Sequence, residues 1–296
     1  MEAKYKVGVI GVGRIGALLE EDRLREKPCS HVGAWKSISG VDVVAIADPD
    51  TQRGDAVAAK WSVREHYADY KDLLSYHNFD VVSVATPTET HADIVTTIAK
   101  KRRARLIFCE KPIADNIRDA TRMVQTCQKY GVKLAINHTR RWDPIYQDIA
   151  STLHTPHFGN PLAGVAYFTG DVINDGVHIA DLLNWYELTE KVTVFNQWLK
   201  DAEYLMFELD IVCQKGRLRV SENGAKYELW TSVPSDHYEG LNELRPVHST
   251  LVRAETPMFS ACSQLIRCLD GGLPLCTGQH GLKALELALK WEQDSN

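Results

Sequence analysis

The apolar run Leu106–Phe108 breaks off at Cys109-Glu110-Lys111-Pro112, so a carboxylate and an amine stand at the end of what reads as a buried strand. Oxidising a carbinol by hydride transfer requires its hydroxyl proton to be removed or relayed. A lysine at such an edge can do this. A nearby cationic ring and partial desolvation both favour its neutral form, and its N–H groups can hold a developing alkoxide. Taken alone, Lys111 reads as readily as a solvated lysine after an edge strand. A second group lies in "GDVINDGVHIADLLNWY", which carries Asn174, Asp175, His178 and Asp181. Asn174 precedes His178 by four and Asp181 follows it by three, so in a helix the three share a face. Histidine, with an ordinary pKa of about 6.5, suits proton transfer or a substrate hydroxyl. Asp175, just before Gly176, reads equally as a helix N-cap. Asp181 either orients His178 or faces a polar seam.

Gly11, Gly13 and Gly16 form G-x-G-x-x-G after the strand-like "KVGVI" and at the expected start of a helix. The first glycine permits the turn, the second admits a pyrophosphate and the third lets helix and strand pack closely. Phosphate would then meet the helix N-terminus. Gly11, Gly13, Arg14, Ile15 and Gly16 are therefore candidate dinucleotide contacts; the alternative is a glycine-rich turn of another α/β protein. Asp48 ends the second strand, where a carboxylate accepts hydrogen bonds from the adenosine ribose hydroxyls and repels a 2′-phosphate. NAD is thereby favoured, with NADP possible because Arg53 can pair with a phosphate. Asp48 as a turn or cap residue is the alternative. It stands farther from the glycines than the usual ~20 residues, and "REKPCSHVGAW" accounts for this by lengthening the first crossover. "ATPTETH" puts Thr86, Pro87 and Thr88 at the carboxyl edge of the sheet, where ligands bind in open parallel sheets. Thr88 could instead cap the next helix. His91 in its first turn is a cofactor contact or a satisfied structural histidine.

These residues need a scaffold. Up to about residue 137, buried apolar runs such as Val41–Ala47 alternate with helical stretches, the pattern of a parallel sheet with right-handed crossovers. Beyond it, "GNPLAGVAYFTG", "KVTVFNQWL", "YLMFELDIVCQKGRLRVSE" and "AKYELWTS" read as strands of a mostly antiparallel sheet, with "QKGRLRV" a hairpin. Helices are expected near Gly176–Tyr186, in "PMFSACSQLIRCLDGG" and in "GQHGLKALELALKWEQ". The chain of 296 residues is thus expected to form an α/β fold of two domains, 1–137 binding NAD(P) and 138–296 binding substrate and forming oligomer contacts. Its 44% hydrophobic and 25% charged residues are those of a globular protein, and a net charge of -5 argues against nucleic acid as partner. No apolar run approaches the ~20 residues of a membrane span, and no signal peptide is evident at the start. The seven cysteines are odd in number and lack metal-site spacing, so reduced thiols, a cytoplasmic location and no bound metal are expected.

The glycine motif followed in order by "AIADPD", "VATPTETHAD", "FCEKPI" and "DGVHIADLLNW" resembles the glucose–fructose oxidoreductase / inositol dehydrogenase family, Gfo/Idh/MocA, over residues 5 to about 190. The resemblance implies an N-terminal Rossmann domain and a C-terminal α/β domain built on a large, open, mostly antiparallel sheet. It further implies an NAD(P)-dependent dehydrogenase or reductase of sugars, inositols or related polyols. By resemblance, Lys111 is the catalytic lysine, Glu110 supports it or touches the nicotinamide side, and Pro112 follows a bond that is often cis. The family helix carries an Asp and, four residues on, a His. His178 matches the histidine, but Asn174 occupies the carboxylate position and cannot take a proton. Either Lys111 and His178 share the proton work while Asn174 orients substrate, or Asp175 has taken over through a local shift. In "NHTRRWDPIY", Asn137 ends the last strand near the nicotinamide and Arg141 could bind polyol hydroxyls or a carboxylate. Trp142 is a sugar-stacking or core residue, and the arginines could anchor an interdomain helix instead.

The leading expectation is an oxidoreductase moving hydride between NAD(P) and a sugar, cyclic polyol or derivative. Asn174 keeps open a reductase of an imine or other unsaturated substrate, or NAD-assisted elimination or hydrolysis. A non-catalytic NAD(P)-binding sensor is a further alternative. Apolar residues on both faces of the second sheet suggest a homodimer or homotetramer.

Overall fold

In a computed structural model, residues 4–196, 199, 202–247 and 255–294 are described. The chain forms two compact units, Met1–Pro144 with Ala254–Leu285, and Ile145–Arg253 with Glu286–Asn296.

The first unit opens with β1 (Tyr5–Ile10), α1 (His31–Ser37), β2 (Val41–Ala47), α2 (Thr51–Trp61), β3 (Glu65–Tyr67) and α3 (Tyr70–Tyr76). It continues with β4 (Phe79–Val84), α4 (Thr88–Lys101), β5 (Ala104–Cys109), α5 (Ile117–Tyr130), β6 (Lys133–Ile136) and α6 (Thr139–Trp142). The six strands form one parallel sheet in the order β3-β2-β1-β4-β5-β6. Helical crossovers cover both faces of such a sheet, which explains why Val7, Val9, Val43, Ile46, Val81, Val82, Leu106 and Ile107 are all fully buried. The strand order reverses between β1 and β4, and their carboxyl ends open a crevice there.

The expected helix directly after the glycines is not an α-helix. Ala17 and Leu18 N–H groups both donate to Gly13 O (3.0 and 3.1 Å), Leu19 N–H donates to Arg14 O (2.8 Å), and Leu18–Glu21 is a short 3₁₀ turn. The helical path resumes at α1, whose His31 and Val32 N–H groups donate to Ile15 O (3.1 Å) and Gly16 O (2.9 Å). Ala17–Ser30 is thus a fourteen-residue excursion from a split helix, and without it Asp48 would follow Gly16 by eighteen positions, close to the usual ~20. The lengthened crossover holds, but it begins at Ala17, earlier than "REKPCSHVGAW".

The second unit contains most of α7 (Pro144–Thr152), then β7 (Pro161–Phe168), a π-turn (Val172–Gly176), α8 (Val177–Trp185) and β8 (Val192–Phe195). β9 (Phe207–Cys213), β10 (Gly216–Ser221), β11 (Lys226–Pro234) and β12 (Asn242–Pro246) follow. Its sheet runs β12-β11-β10-β9-β7-β8, antiparallel except for β7 with β8. Phe207, Leu209, Ile211, Leu218 and Val220 face a core shared with Ile149, Ile179 and Leu183 of the helices. Gln197 and Trp198 of the expected strand "KVTVFNQWL" lie outside the described residues. The other face is less apolar than the sequence suggested, since it carries the ion pairs Asp210–Arg217 and Glu208–Arg219.

The division differs from a cut at residue 137. α9 (Pro257–Leu269) and the first half of α10 (Gly278–Asp294) belong to the first unit. Thr277 bridges Ala135 beside β6, Ile136 N–H donates to Cys276 O (3.1 Å), and Tyr5 Oη donates to Asp270 (3.0 Å). The returning segment therefore covers the otherwise open β6 edge. Among the described residues no helix is long and apolar enough to cross a membrane, and no cluster of three His, Cys, Asp or Glu could hold a metal.

Candidate active site

At the crevice between β1 and β4 lies a cleft of about 910 Å³, lined by Gly11, Gly13, Arg14 and Ile15 from the glycine turn, Asp48, Pro49 and Arg53 after β2, and Ala85–Pro87 after β4. Two of the three glycines are explained by the chain itself. Gly11 has φ +85°, and a Cβ there would stand 2.6 Å from Ala85 O. A Cβ on Gly16 would collide with Gly11 O and stand 2.8 Å from Val12 Cα, so only glycine lets the turn fold back on its own start. Gly13 is different, since a Cβ there meets nothing within 4 Å. It faces open cleft, so its lack of a side chain serves whatever fills that space. A pyrophosphate against the Gly13 backbone fits this observation.

Asp48 is buried at the far end of the cleft. Val12 N–H (2.9 Å) and Arg53 Nε (3.1 Å) donate to its Oδ2, while Asp50 N–H (3.0 Å) and Arg53 Nη2 (2.6 Å) donate to Oδ1. Burial alone would raise the Asp48 pKa, but these donors and the Arg53 charge hold it below the ordinary value. Ala68, Asp69, Tyr70, Glu89, Thr90 and Asp93 also line the cleft and were not anticipated. Asp69 and Tyr70 begin α3 after β3, a strand of three residues. That strand is too short to show a period, so the loop it aims at the cleft went unseen.

Thr88 and His91 do not line the cleft. Thr88 makes no cap for α4, whose N-cap is Pro87. His91 is buried, with Nδ1 3.1 Å from Pro112 O and Nε2 2.9 Å from Thr86 O. Its ring thus ties the cleft wall to the Glu110–Pro112 turn, the geometry of the structural alternative.

That turn lies on the same carboxyl edge. Glu110 N–H donates to Val84 O (2.9 Å) and Asn137 N–H to Cys109 O (2.8 Å), so the ends of β4, β5 and β6 stand side by side. The Lys111–Pro112 bond is cis. Glu110 is buried in a network with no sequence signal. His31 Nε2 lies 2.9 Å from Glu110 Oε1, Asn137 Nδ2 donates to the same oxygen (2.6 Å), and Lys111 N–H reaches Oε2 (3.3 Å). His31 Nδ1 lies 3.0 Å from Ser83 Oγ, which also accepts from Trp35 Nε1 (2.8 Å). Burial raises the Glu110 pKa, but bonds from His31 and Asn137 and the Lys111 charge bring it below the ordinary value. Asn137 Oδ1 is buried and finds no partner among the described residues. Such an acceptor costs about 1–3 kcal/mol unless a ligand donor meets it. Lys111 is half-buried at this edge. Trp142 is fully buried, donates from Nε1 to Ile136 O (3.0 Å) and meets Phe108 edge-on, so it is a core residue with no face open to a sugar. Arg141 is buried beside it.

In the second unit, Asn174 is exposed in the π-turn, His178 is half-buried in α8 and Asp181 is buried. The change from π to α winding between Asn174 and His178 removes the simple i, i+4 face expected of them, and π-turns are frequent at functional sites. Asp171 is the cap, accepting from Asn174 N–H (2.6 Å), while Asp175 Oδ2 accepts from Asp171 N–H (3.0 Å). The two form a reciprocal capping pair, so the Asp175 carboxylate is engaged by backbone.

Residues 5–138 match the model of an oxidoreductase family with an NAD-binding Rossmann fold, GFO_IDH_MocA. The chain is 32% identical over 139 residues to the D-apiose dehydrogenase of Paraburkholderia graminis, covering 47% of this chain and 36% of the relative. It is 32% identical over 201 residues to the inositol 2-dehydrogenase of Acidothermus cellulolyticus, covering 64% of this chain and 55% of the relative. The matches thus span less than two thirds of these relatives. In fold it is like the UDP-N-acetylglucosamine 3-dehydrogenase of Acidithiobacillus ferrooxidans, with a TM-score of 0.78 at 18% identity over 97% of this chain and 96% of that one. It is also like the WlbA dehydrogenase of Bordetella pertussis in complex with NADH and UDP-GlcNAcA, with a TM-score of 0.74 at 19% identity over 99% of this chain and 98% of that one. Residues 5–138, just under half of the chain, thus match the Gfo/Idh/MocA oxidoreductase family with its NAD-binding Rossmann fold.

Proposed function

We propose that this protein is an NAD(P)-dependent oxidoreductase that moves hydride between nicotinamide and a hydroxyl-bearing carbon of a sugar, cyclic polyol or sugar derivative. The observation that carries the reading is the cleft in which Gly13 faces open space and buried Asp48 closes the far end, with Lys111 on the same sheet edge. The relatives support the substrate class, being dehydrogenases of apiose and of inositol. When bound, the nicotinamide supplies the hydride acceptor or donor. The glycine turn orients the dinucleotide, and Asp48 with its Arg53 partner meets the adenosine end. Lys111 takes or returns the hydroxyl proton, its backbone fixed by the buried Glu110 carboxylate. Asn137 Oδ1 accepts a hydrogen bond from cofactor or substrate. His178 is the second proton-handling candidate, and Asn174 binds a substrate hydroxyl.

Screening sugars and cyclic polyols with NAD and NADP for absorbance at 340 nm tests the reading. Turnover is expected with at least one, and Lys111→Ala should lower kcat ~10²–10⁴-fold while leaving dinucleotide affinity intact. Full activity in that variant would refute its role. The Asn174 amide, which cannot take a proton, motivates a second reading, NAD-assisted elimination or hydrolysis. Product that requires NAD yet leaves no net NADH would favour it.

A further inference from the structure

We infer that His31 is a positioning residue for the Lys111 turn: as a neutral ring with its proton on Nε2, it holds the Glu110 carboxylate that steadies Lys111. This rests on the oxidoreductase reading proposed above. The tautomer follows from the protons available. Trp35 Nε1 can only donate, and it donates to Ser83 Oγ (2.8 Å). The Ser83 hydroxyl carries one proton, and among the described residues its only other side-chain partner is His31 Nδ1 (3.0 Å). Across the ring, His31 Nε2 meets Glu110 Oε1 (2.9 Å), and an ionised carboxylate can only accept. A doubly protonated ring would leave the Ser83 proton without an acceptor. A ring protonated on Nδ1 alone would set the Nε2 lone pair against the carboxylate. The Nε2–H form satisfies every group, so donation runs from Trp35 to Ser83 to His31 to Glu110. All four residues are buried, where an unmet donor or acceptor is costly. The chain starts at an indole N–H, which has no lone pair to receive a proton, so it holds Glu110 and does not drain protons from it.

His31 also joins two parts of the first unit that the proposed reaction needs in register. Its backbone N–H donates to Ile15 O (3.1 Å), in the glycine turn that lines the cleft. Its ring packs on Phe108, with centroids 5.0 Å apart, and reaches the strand end that carries Lys111. From the end of β6, Asn137 Nδ2 donates to the same Oε1 (2.6 Å), which leaves Oε2 to accept from Lys111 N–H (3.3 Å). Gripped from α1 and from β6, the carboxylate has one orientation. His31 thereby fixes the Lys111 turn relative to the turn that is to hold the dinucleotide, and small misplacements of reacting groups are large in rate.

Nitrogen NMR of the folded protein with labelled histidine reads the tautomer at neutral pH. His31 Nδ1 should resonate as an unprotonated nitrogen and Nε2 as an N–H; the reverse pattern, or two N–H nitrogens, overturns the inference. Kinetics with a sugar or polyol found in the absorbance screen test the role. His31→Leu fills much of the ring's space and donates nothing to Glu110, so kcat should fall ~10–100-fold while NADH affinity, followed by nicotinamide fluorescence, stays within ~3-fold. His31→Gln keeps an N–H for Glu110 and should hold kcat within ~3-fold of wild type. Equal kcat in wild type and a folded His31→Leu overturns the role. Should His31→Leu fail to fold by circular dichroism, a folded His31→Gln with kcat lowered ~10-fold or more overturns it. A wild type that turns over no sugar or polyol overturns the oxidoreductase reading and this role with it, a result distinct from equal kcat in the variants.

Discussion

The three glycines of one motif have three different physical reasons, and substitutions should separate them. Gly13→Val adds atoms only to the open cleft, so the thermal midpoint should be unchanged while NADH affinity falls ~10-fold or more. Gly16→Val drives a side chain into Gly11 O, and overpacking of this kind costs about 1–3 kcal/mol, read as a lower denaturant midpoint. The reverse pattern would mean that Gly13 is a packing glycine. His31→Ala removes one partner of the buried Glu110 carboxylate and leaves Ser83 bonded to Trp35 alone, so a loss of about 1–3 kcal/mol is expected, measured by urea unfolding. The contacts His31 makes span 52 and 79 positions of sequence, which no local pattern can reveal. By contrast, Gly13, Asp48 and Lys111 were legible because each closes or follows an apolar run. Acid stability tests the same groups. Asp48 and Glu110 both titrate below their ordinary values, so each stabilises the fold fully above an unfolded pKa of about 4. That stabilisation is lost as pH falls through the lowered folded values. Arg53→Ala removes the fork that offsets burial at Asp48, and the acid-unfolding midpoint followed by circular dichroism should move to higher pH; a midpoint that stays put contradicts the assigned cause.

At the scale of elements, β2 was readable because a strand buried on both faces is a near-continuous apolar run, here Val43–Ala47. The helix after the glycines was misread for a related reason. "ALLEEDRL" has helix-forming composition, yet the helical path leaves at Ala17 and returns at His31, and only tertiary hydrogen bonds record the return. β3 and β12 escaped notice because one is three residues long and both are edge strands. The Asp171–Asp175 capping pair favours a structural role for Asp175. Asp175→Ala should destabilise the π-turn and α8 by ~1 kcal/mol, seen in urea unfolding, while kcat changes little. A collapse of kcat with unchanged stability would return the proton-handling role to Asp175.

For the whole molecule, the parallel sheet explains why the groups proposed for chemistry in the first unit come from distant segments. The carboxyl ends of β1, β2, β4, β5 and β6 bring Gly11, Asp48, Thr86, Lys111 and Asn137 to one edge. A homodimer or homotetramer through the second sheet remains our proposal, and ion pairs on its outward face make such an interface mixed in polarity rather than apolar. Light scattering should give a multiple of the chain mass, and a monomer would exclude it. The most direct test of the central claim is a crystal structure of the protein with NAD. Pyrophosphate is expected against the Gly13 backbone, the adenosine ribose beside Asp48 and Arg53, and the nicotinamide ring beside Lys111. A dinucleotide bound elsewhere, or a nicotinamide facing away from Lys111, would contradict it.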